Sequence, residues 1–157
     1  MYKKRSRRFP RLLRSEAGGV AVYSAFLGLL SIGAGSLALD IGRASVLRSQ
    51  MQNRADAGAL AAAAQLDGRE GARTRATALA MNATLGLSAI PSDGATLAVD
   101  NVKFYSAVDP DKVDATGDED SRFIEVTLQE RRVDYVLARF LNSAPSKGDQ
   151  AARAVAG

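Results

Sequence analysis

A run of 23 residues without a charged side chain, from residue 17 to residue 39, constrains this chain more than any other feature of its sequence. Glu16 precedes the run and Asp40 follows it. As an α-helix the run is about 34 Å long, which is enough to cross a hydrocarbon layer of ~30 Å. Its five glycines are better tolerated in membrane helices than in soluble ones. The sequence therefore predicts one membrane-spanning helix at residues 17–39.

The charges on either side of this segment predict its orientation. Residues 1–16 hold seven basic residues and one acidic residue, a net charge of +6, whereas the remaining 141 residues sum to −2. Because basic flanks stay in the cytoplasm, we expect a cytoplasmic tail at residues 1–16 and a periplasmic location for residues 40–157. The basic tail is expected to contact anionic membrane lipids. A nucleic-acid-binding arm is the competing interpretation, and we predict that no nucleic acid is bound.

A cleaved signal peptide is the main alternative to a membrane anchor. The basic start fits, and the small residues Ala34, Ser36 and Ala38 resemble a cleavage site. The apolar core of a signal peptide is, however, usually about 7–15 residues long, and cleavage here would interrupt a helical pattern that continues without a break. In this alternative the exported domain has an unrelated role.

Beyond Asp40 the helical pattern continues. Apolar or small residues recur at steps of three and four, while polar residues occupy the other faces. The recurring positions are Ala44, Leu47, Met51, Ala55, Gly58, Ala62 and Leu66. We expect one helix from Ser15 to Leu66, with its first half in lipid and an amphipathic continuation outside at residues 40–68. The stripe of this outer half is expected to pack against similar helices.

Small residues within the apolar run suggest helix packing in the membrane. Ser24 and Gly28, and likewise Ser31 and Gly35, are four residues apart, a spacing that lets membrane helices approach closely. The alternative is that glycine and serine are simply frequent in this segment.

The composition excludes several classes of chemistry. The chain has no cysteine and no histidine, which excludes disulfides, thiolate nucleophiles, Cys/His zinc sites and histidine acid–base catalysis. The acidic residues 109–120 allow a calcium loop starting at Asp114, but Glu119 would occupy the position that requires glycine. We therefore expect a solvated loop there, with no metal, no cofactor and no catalytic site, and predict that the chain is not an enzyme. A membrane-tethered hydrolase that uses its carboxylates is the enzymatic alternative.

Several short stretches resemble one known family. They are residues 19–26, 38–43, 51–52, 54–57 and 59–63. Together they resemble the TadG-like N-terminal domain of the tight-adherence (Tad) Flp pilus-assembly family. The resemblance implies a pseudopilin-like component of the Tad/Flp pilus assembly or secretion apparatus in the bacterial inner membrane. It also implies contacts with other Tad/Flp assembly proteins, in a homo- or hetero-oligomer. The candidate packing and motif residues beyond the apolar run are Asp40, Gly42, Arg43, Leu47, Met51, Gln52, Ala55 and Asp56.

The chain departs from related families in two respects. TadE-like pseudopilins have a glycine cleavage site followed five residues later by glutamate, whereas Tyr23 and Ser24 follow Gly18 and Gly19 at that distance. The Asp-x-Ser-x-Ser stretch of von Willebrand A-like adhesion domains does not occur in the sequence. Processing by a prepilin peptidase and adhesion through such a domain are therefore not expected.

Asp40 and Arg43 stand three residues apart at the predicted outer boundary of the membrane. One interpretation is a local ion pair on a solvated face, worth about 0.3 kcal/mol. The other is a polar contact with another helix of an assembly, which their place in the family motif favours.

The remaining residues, 69–157, are expected to form a small periplasmic α+β domain. Residues 69–87 favour a second helix that folds back on the first through a turn near Gly68–Gly71. The predicted fold class is thus α+β: a long N-terminal helix, a second helix folding back and a small antiparallel sheet with a short helix, as in pilins and pseudopilins.

Strand patterns occupy the end of the chain. The parity of the apolar residues changes at Asp100–Asn101, which predicts a β-bulge or a tight turn. Residues 124–129 alternate cleanly, with the apolar Ile124, Val126 and Leu128 on one face and polar side chains on the other. Residues 151–155 are the predicted last strand. Asp134 is the predicted cap of a short helix. The apolar residues of that helix are Val136, Leu137, Phe140 and Leu141.

Overall fold

The computed structural model describes residues 16–87, 96–137 and 147–157. The helices are α1 (Glu16–Ala63) and α2 (Ala72–Thr84). The strands are β1 (Gly86–Leu87), β2 (Thr96–Leu97), β3 (Val99–Ala107), β4 (Val113–Asp114), β5 (Phe123–Leu128), β6 (Arg131–Asp134), β7 (Lys147–Gln150) and β8 (Arg153–Ala156). Residues 1–15 of the predicted basic tail, and Phe140 and Leu141 of the predicted short helix, lie outside the described residues.

The first helix runs without a break from the apolar run into the outer domain, as predicted. α1 has 48 residues, so it is about 72 Å long at ~1.5 Å per residue. No proline interrupts its hydrogen bonds, and its last turns are rich in alanine, the strongest helix former. The helix ends at Ala63, slightly before the predicted Leu66. Gly68 and Gly71 then adopt positive φ angles of 73° and 77°, which glycine tolerates without strain, and reverse the chain.

The second helix runs back along α1, as predicted, but it is shorter than the predicted residues 69–87. It starts after Gly71 and ends at Thr84. Gly86–Leu87 leave the helix because they pair with Thr96–Leu97 as the two short strands β1 and β2. Ala72, Ala76 and Ala80 of α2 are fully buried. These small side chains let the backbones of the two helices approach closely.

The main sheet is antiparallel, with the strand order β4-β3-β5-β8. The pairing of β3 with β5 shifts register between Val99 and Asn101, which confirms the predicted bulge. The strand predicted at residues 151–155 is present as β8, which pairs with β5. β6 and β7 form a separate two-stranded antiparallel sheet.

The core lies between the main sheet and the outer half of α1, which α2 flanks. Leu47 and Met51 of α1 are at most 1% exposed, and so are Ile124, Val126 and Leu128 of β5. This confirms the inward side of β5 that the alternation predicted. Burial of each such large side chain contributes about 1.5–3 kcal/mol, so the sheet depends on α1 for its stability. The fold is α+β, with a long first helix, a second helix and a small antiparallel sheet.

Asp40, and not the predicted Asp134, accepts the first backbone N–H groups of the predicted short helix. Asp134 is the last residue of β6. The two helical residues Val136 and Leu137, called the 136–137 turn below, donate their backbone N–H groups to the carboxylate of Asp40 in α1. The acceptor thus comes from a distant part of the chain, which a local capping rule does not consider.

Candidate functional site

The apolar first half of α1 is left uncovered by the other residues that the structure describes. Phe26, Leu27 and Ile32 point to different sides of the helix and are 65%, 63% and 66% exposed. Apolar surface of this extent is unfavourable in water. Among the described residues, α1 is the one helix long and apolar enough to cross a membrane. The core helix of a soluble protein passes the same test, but here none of the apolar stretch is buried.

Above the apolar half, one side of α1 carries the folded domain. We call this side, marked by Asp40, Leu47, Met51 and Ala55, the domain face. Leu47, Met51 and Ala55 are 1%, 0% and 0% exposed, and they belong to the core of this chain. The stripe predicted from the sequence is present, but α2 and the sheet of the same chain cover it, in place of the similar helices that were expected to pack there. A partner has no access to these three side chains in this structure.

Five of the other predicted packing residues lie on the opposite side of α1. We call this the small-residue face, and it consists of Ser24, Gly28, Ser31, Gly35 and Gly42. At about 100° per residue, this set is turned by roughly 180° from the domain face. A methyl group built on Gly28, Gly35 or Gly42 meets nothing within 4 Å. Nothing in the described part of the chain occupies the space next to this face.

Asp40 joins the helix to the folded domain at the predicted membrane boundary. Its carboxylate oxygens accept hydrogen bonds from the N–H groups of Val136 at 2.8 Å and Leu137 at 2.9 Å. Asp40 is only 4% exposed, whereas Arg43 is exposed. No ion pair links Asp40 to Arg43 among the residues that the structure describes. Hydrogen bonds from N–H groups to a carboxylate are stronger than neutral ones, so the contact holds the 136–137 turn on α1.

Gln52 makes a second connection between α1 and the domain. Its Nε2 donates to the backbone carbonyl of Arg153 in β8 at 3.2 Å. The same Nε2 donates to Asp56 one turn later at 3.0 Å. Asp40 and Gln52 both came from the predicted motif, and both fasten the domain to the helix. Asp56 orients Gln52.

Asp118 in the acidic loop holds the start of α2. Its carboxylate accepts the N–H groups of Gly71 at 2.7 Å and Arg73 at 3.0 Å. The hydrogen bonds from Arg73 and then Gly71 lower the pKa of Asp118. The first N–H groups of a helix have no partner within the helix, and Gly71 brings no side chain to cap them. This contact was not predicted from the sequence. The glycine at the start of α2 was the sequence feature that indicated the need for an acceptor from elsewhere in the chain.

Asp120 closes the acidic loop on itself. It accepts the backbone N–H groups of Thr116 and Gly117 and the hydroxyl of Thr116. The hydrogen bond from the Thr116 N–H, followed by that from Gly117, lowers the pKa of Asp120 to about 2. The carboxylates of Asp118 and Asp120 therefore both accept hydrogen bonds from groups of this chain. No group of three or more acidic residues that could hold a metal ion occurs within the described ranges.

Glu125 lies on the side of β5 that the alternation assigned to solvent, yet it is only 3% exposed. Lys112 forms an ion pair with one carboxylate oxygen, and Arg153 lies 3.7 Å from the other. Lys112 also sits over the ring of Tyr105, 5.2 Å from its centroid. The chain therefore pairs this buried carboxylate with two cations, as a buried charge requires. These contacts compensate the charge of Glu125 within the outer domain.

Residues 18–65 match the family model described as Putative Flp pilus-assembly TadE/G-like. This match confirms the predicted resemblance to the Tad family for the N-terminal segment. The matched residues include both the exposed apolar half of α1 and the outer half that packs in the core. Comparisons with curated proteins and with solved structures gave no match.

Proposed function

We propose, from the TadE/G-like match at residues 18–65, that this chain is a single-pass inner-membrane component of the Tad/Flp pilus assembly or secretion apparatus. Its basic N-terminal tail stays in the cytoplasm and contacts anionic lipids, and its folded domain lies in the periplasm. It acts as pseudopilins do, by packing of its long helix and by protein–protein contacts, without catalysis. Its partners are other Tad/Flp assembly proteins or further copies of itself.

The observation that carries the proposal is the division of α1 within the matched segment. The apolar half is exposed on all sides, while Leu47, Met51 and Ala55 of the outer half are buried by the chain's own domain. A helix built in this way needs an apolar surrounding for its first half only. Such a division suits a membrane anchor that carries a rigidly attached domain.

The small-residue face is the proposed contact with other helices. The domain face is covered above Asp40, so a neighbouring helix has to approach from elsewhere. Gly28 and Gly35 leave open space beside the helix backbone. Close approach of backbones at small residues drives helix association in lipid, where the hydrophobic effect gives no attraction between helices.

The second candidate function is an exported periplasmic domain of unrelated role, released by signal cleavage. The helix argues against cleavage, because α1 continues through Ala34, Ser36 and Ala38 into the core without a turn. Cleavage after these residues would also divide the matched segment, residues 18–65, between the two products.

Topology and processing are tested with single cysteines, since the chain has none of its own. Ser6→Cys probes the basic tail, and Val113→Cys probes the outer domain, where Val113 is 52% exposed. We expect an impermeant maleimide to label position 113 from the periplasm and position 6 only after the inner membrane is permeabilised. Both variants should run at full mass in the membrane fraction. A shortened soluble product without the label at position 6 would establish cleavage and reject the anchored component.

Assembly is tested with a photo-crosslinking amino acid placed on two faces of the same helix. Ser31 represents the small-residue face, and Leu37 represents the side below the domain. We expect discrete products at position 31, identified by mass spectrometry as Tad proteins or a second copy, and none at position 37. Equal products at both positions would reject the face assignment. A lack of products at both, in membranes that contain the other Tad proteins, would reject the assembly role.

A further inference from the structure

An apolar groove lies directly below the folded domain, on the side of α1 that continues the domain face toward the membrane. One of its walls is the outer end of the membrane half of α1, and the other is the 136–137 turn. It is lined by Phe26, Leu29, Leu30, Gly33, Ala34, Leu37 and Leu137. No polar side chain occurs among these lining residues.

The 136–137 turn reaches below the boundary that Asp40 marks. Leu137 lines the groove with Ala34 and Leu37, which precede Asp40 by six and three residues. At ~1.5 Å per residue these positions lie about 9 Å and 4.5 Å deeper along the helix than Asp40. The side chain of Leu137 is therefore at the level of the apolar run. Beside it, Val136 is 41% exposed.

The backbone of this turn is equipped for an apolar surrounding. The first N–H groups of a helix normally bond to water or to a cap, and lipid offers neither. Here both N–H groups bond to the Asp40 carboxylate, which is itself 4% exposed. The turn thus presents apolar side chains while its exposed donors are satisfied within the protein.

We propose that the 136–137 turn inserts into the membrane leaflet on the side of the folded domain, and that phospholipid acyl chains fill the apolar groove. The groove is continuous with the surface of the spanning segment, so the lipid that covers that segment extends into it. The inference rests on the proposed membrane span and adds a second point of membrane contact. With α1 and this turn both in the leaflet, the tilt of the domain on the membrane is fixed.

Depth-dependent fluorescence quenching tests the proposal on the full chain in phosphatidylcholine vesicles. Val136→Cys is labelled with an environment-sensitive dye, and quenching is compared between lipids brominated near the headgroup, lipids brominated deep in the acyl chain, and aqueous iodide. We expect emission to be lost with the shallow bromines more than with the deep ones, and little loss with iodide. Interfacial insertion to ~5–10 Å predicts this order.

Val155→Cys is the matched control, because Val155 is also a valine and is 42% exposed. It is in β8, whose Arg153 carbonyl bonds to Gln52, about 18 Å beyond Asp40 along the helix at ~1.5 Å per residue. Iodide should quench a dye at position 155, and brominated lipid should not. If Val136→Cys loses its far-UV circular dichroism, Leu137→Cys replaces it.

A third label, Leu29→Cys, separates this inference from the proposed membrane span. Deep bromines should quench it if α1 spans the bilayer. Quenching at position 29 together with iodide quenching at position 136 would overturn the insertion of the turn and leave the span standing. Protection of position 136 from both iodide and bromine would show that protein covers the groove, which also overturns the proposal. No bromine quenching at position 29 would reject the span and the inference together.

Discussion

The packing of α2 on α1 depends on the absence of a side chain at Gly58. A methyl group built there lies 2.5 Å from Thr84 Cγ2 and 3.3 Å from the carbonyl oxygen of Ala80. Carbon atoms in contact prefer ~3.5–4.0 Å, so the first distance is about 1 Å too short. Thr84 is not free to rotate away, since its Oγ1 donates to the carbonyls of Ala80 and Met81 at 2.9 and 3.0 Å. Gly58→Ala therefore forces the two helices apart.

The magnitude follows from two opposing effects. Overpacking of a tight core costs about 1–3 kcal/mol, and the upper end applies because the neighbours are a backbone carbonyl and a hydrogen-bonded side chain. Alanine regains about 1 kcal/mol of helix propensity over glycine. We expect Gly58→Ala to lower the free energy of unfolding by about 2 kcal/mol, which lowers the Tm by roughly 4–8 °C in a chain of this size.

The assay is thermal unfolding of the full chain in detergent, followed by far-UV circular dichroism. Gly42→Ala is the matched control, because it is on the same helix and its methyl group meets nothing within 4 Å. Thr84→Ser removes Cγ2 and keeps the hydroxyl, so it costs about 1 kcal/mol alone. Combined with Gly58→Ala it should cost less than the sum, since the new methyl fills the vacated space. Strict additivity, or a Gly58→Ala protein as stable as Gly42→Ala, would refute the close approach at Gly58.

Three further predictions concern charged groups of the folded domain. Asp40→Ala removes the acceptor of two backbone N–H groups and should cost about 0.5–2 kcal/mol, as loss of a helix cap does; hydrogen exchange should accelerate mainly in the 136–137 turn. Asp118 and Asp120 have lowered pKa values in the folded state, so their stabilisation is present above the unfolded pKa of ~3.9 and is lost as the pH falls through the folded pKa, which for Asp120 is about 2. Unfolding midpoints measured between pH 5 and pH 2 should therefore fall less in the Asp118→Asn, Asp120→Asn double variant than in the native chain. Lys112→Ala leaves Glu125 buried with only the more distant Arg153 and should destabilise by about 1–3 kcal/mol, more than Glu125→Gln, in urea unfolding.

Patterns within short stretches of sequence predicted the structural features that those same stretches determine. The apolar spacing from Ala44 to Leu66 specified one face of a helix, and α1 buries that face. The change of parity at Asp100–Asn101 predicted a bulge or a tight turn, because successive side chains of a strand alternate. The register shift between Val99 and Asn101 corresponds to the bulge. The φ freedom of Gly68 and Gly71 marked the reversal of the chain.

The contacts that hold the domain on the helix were not predictable in the same way. Asp40 bonds to Val136, and Gln52 to Arg153, which are 96 and 101 residues away in the sequence. Spacing within a helix says that such residues share a face, but it does not say which distant backbone meets them. For Asp40, local spacing suggested Arg43 as an ion-pair partner. The buried carboxylate instead accepts hydrogen bonds from the N–H groups of the 136–137 turn. Backbone donors without a local partner were the signal available for finding such contacts.

The continuity of α1 has a consequence for any assembly that it forms. Because one uninterrupted helix contains both halves, the direction in which the domain projects also fixes the directions of the faces below it. The domain face continues into the apolar groove, and the small-residue face is about 180° away. A helix that packs against Gly28 and Gly35 therefore approaches from the side opposite the domain. In an assembly of several copies joined through this face, the helices form the centre and the domains surround it, so the membrane contacts leave the domain surfaces accessible to further proteins.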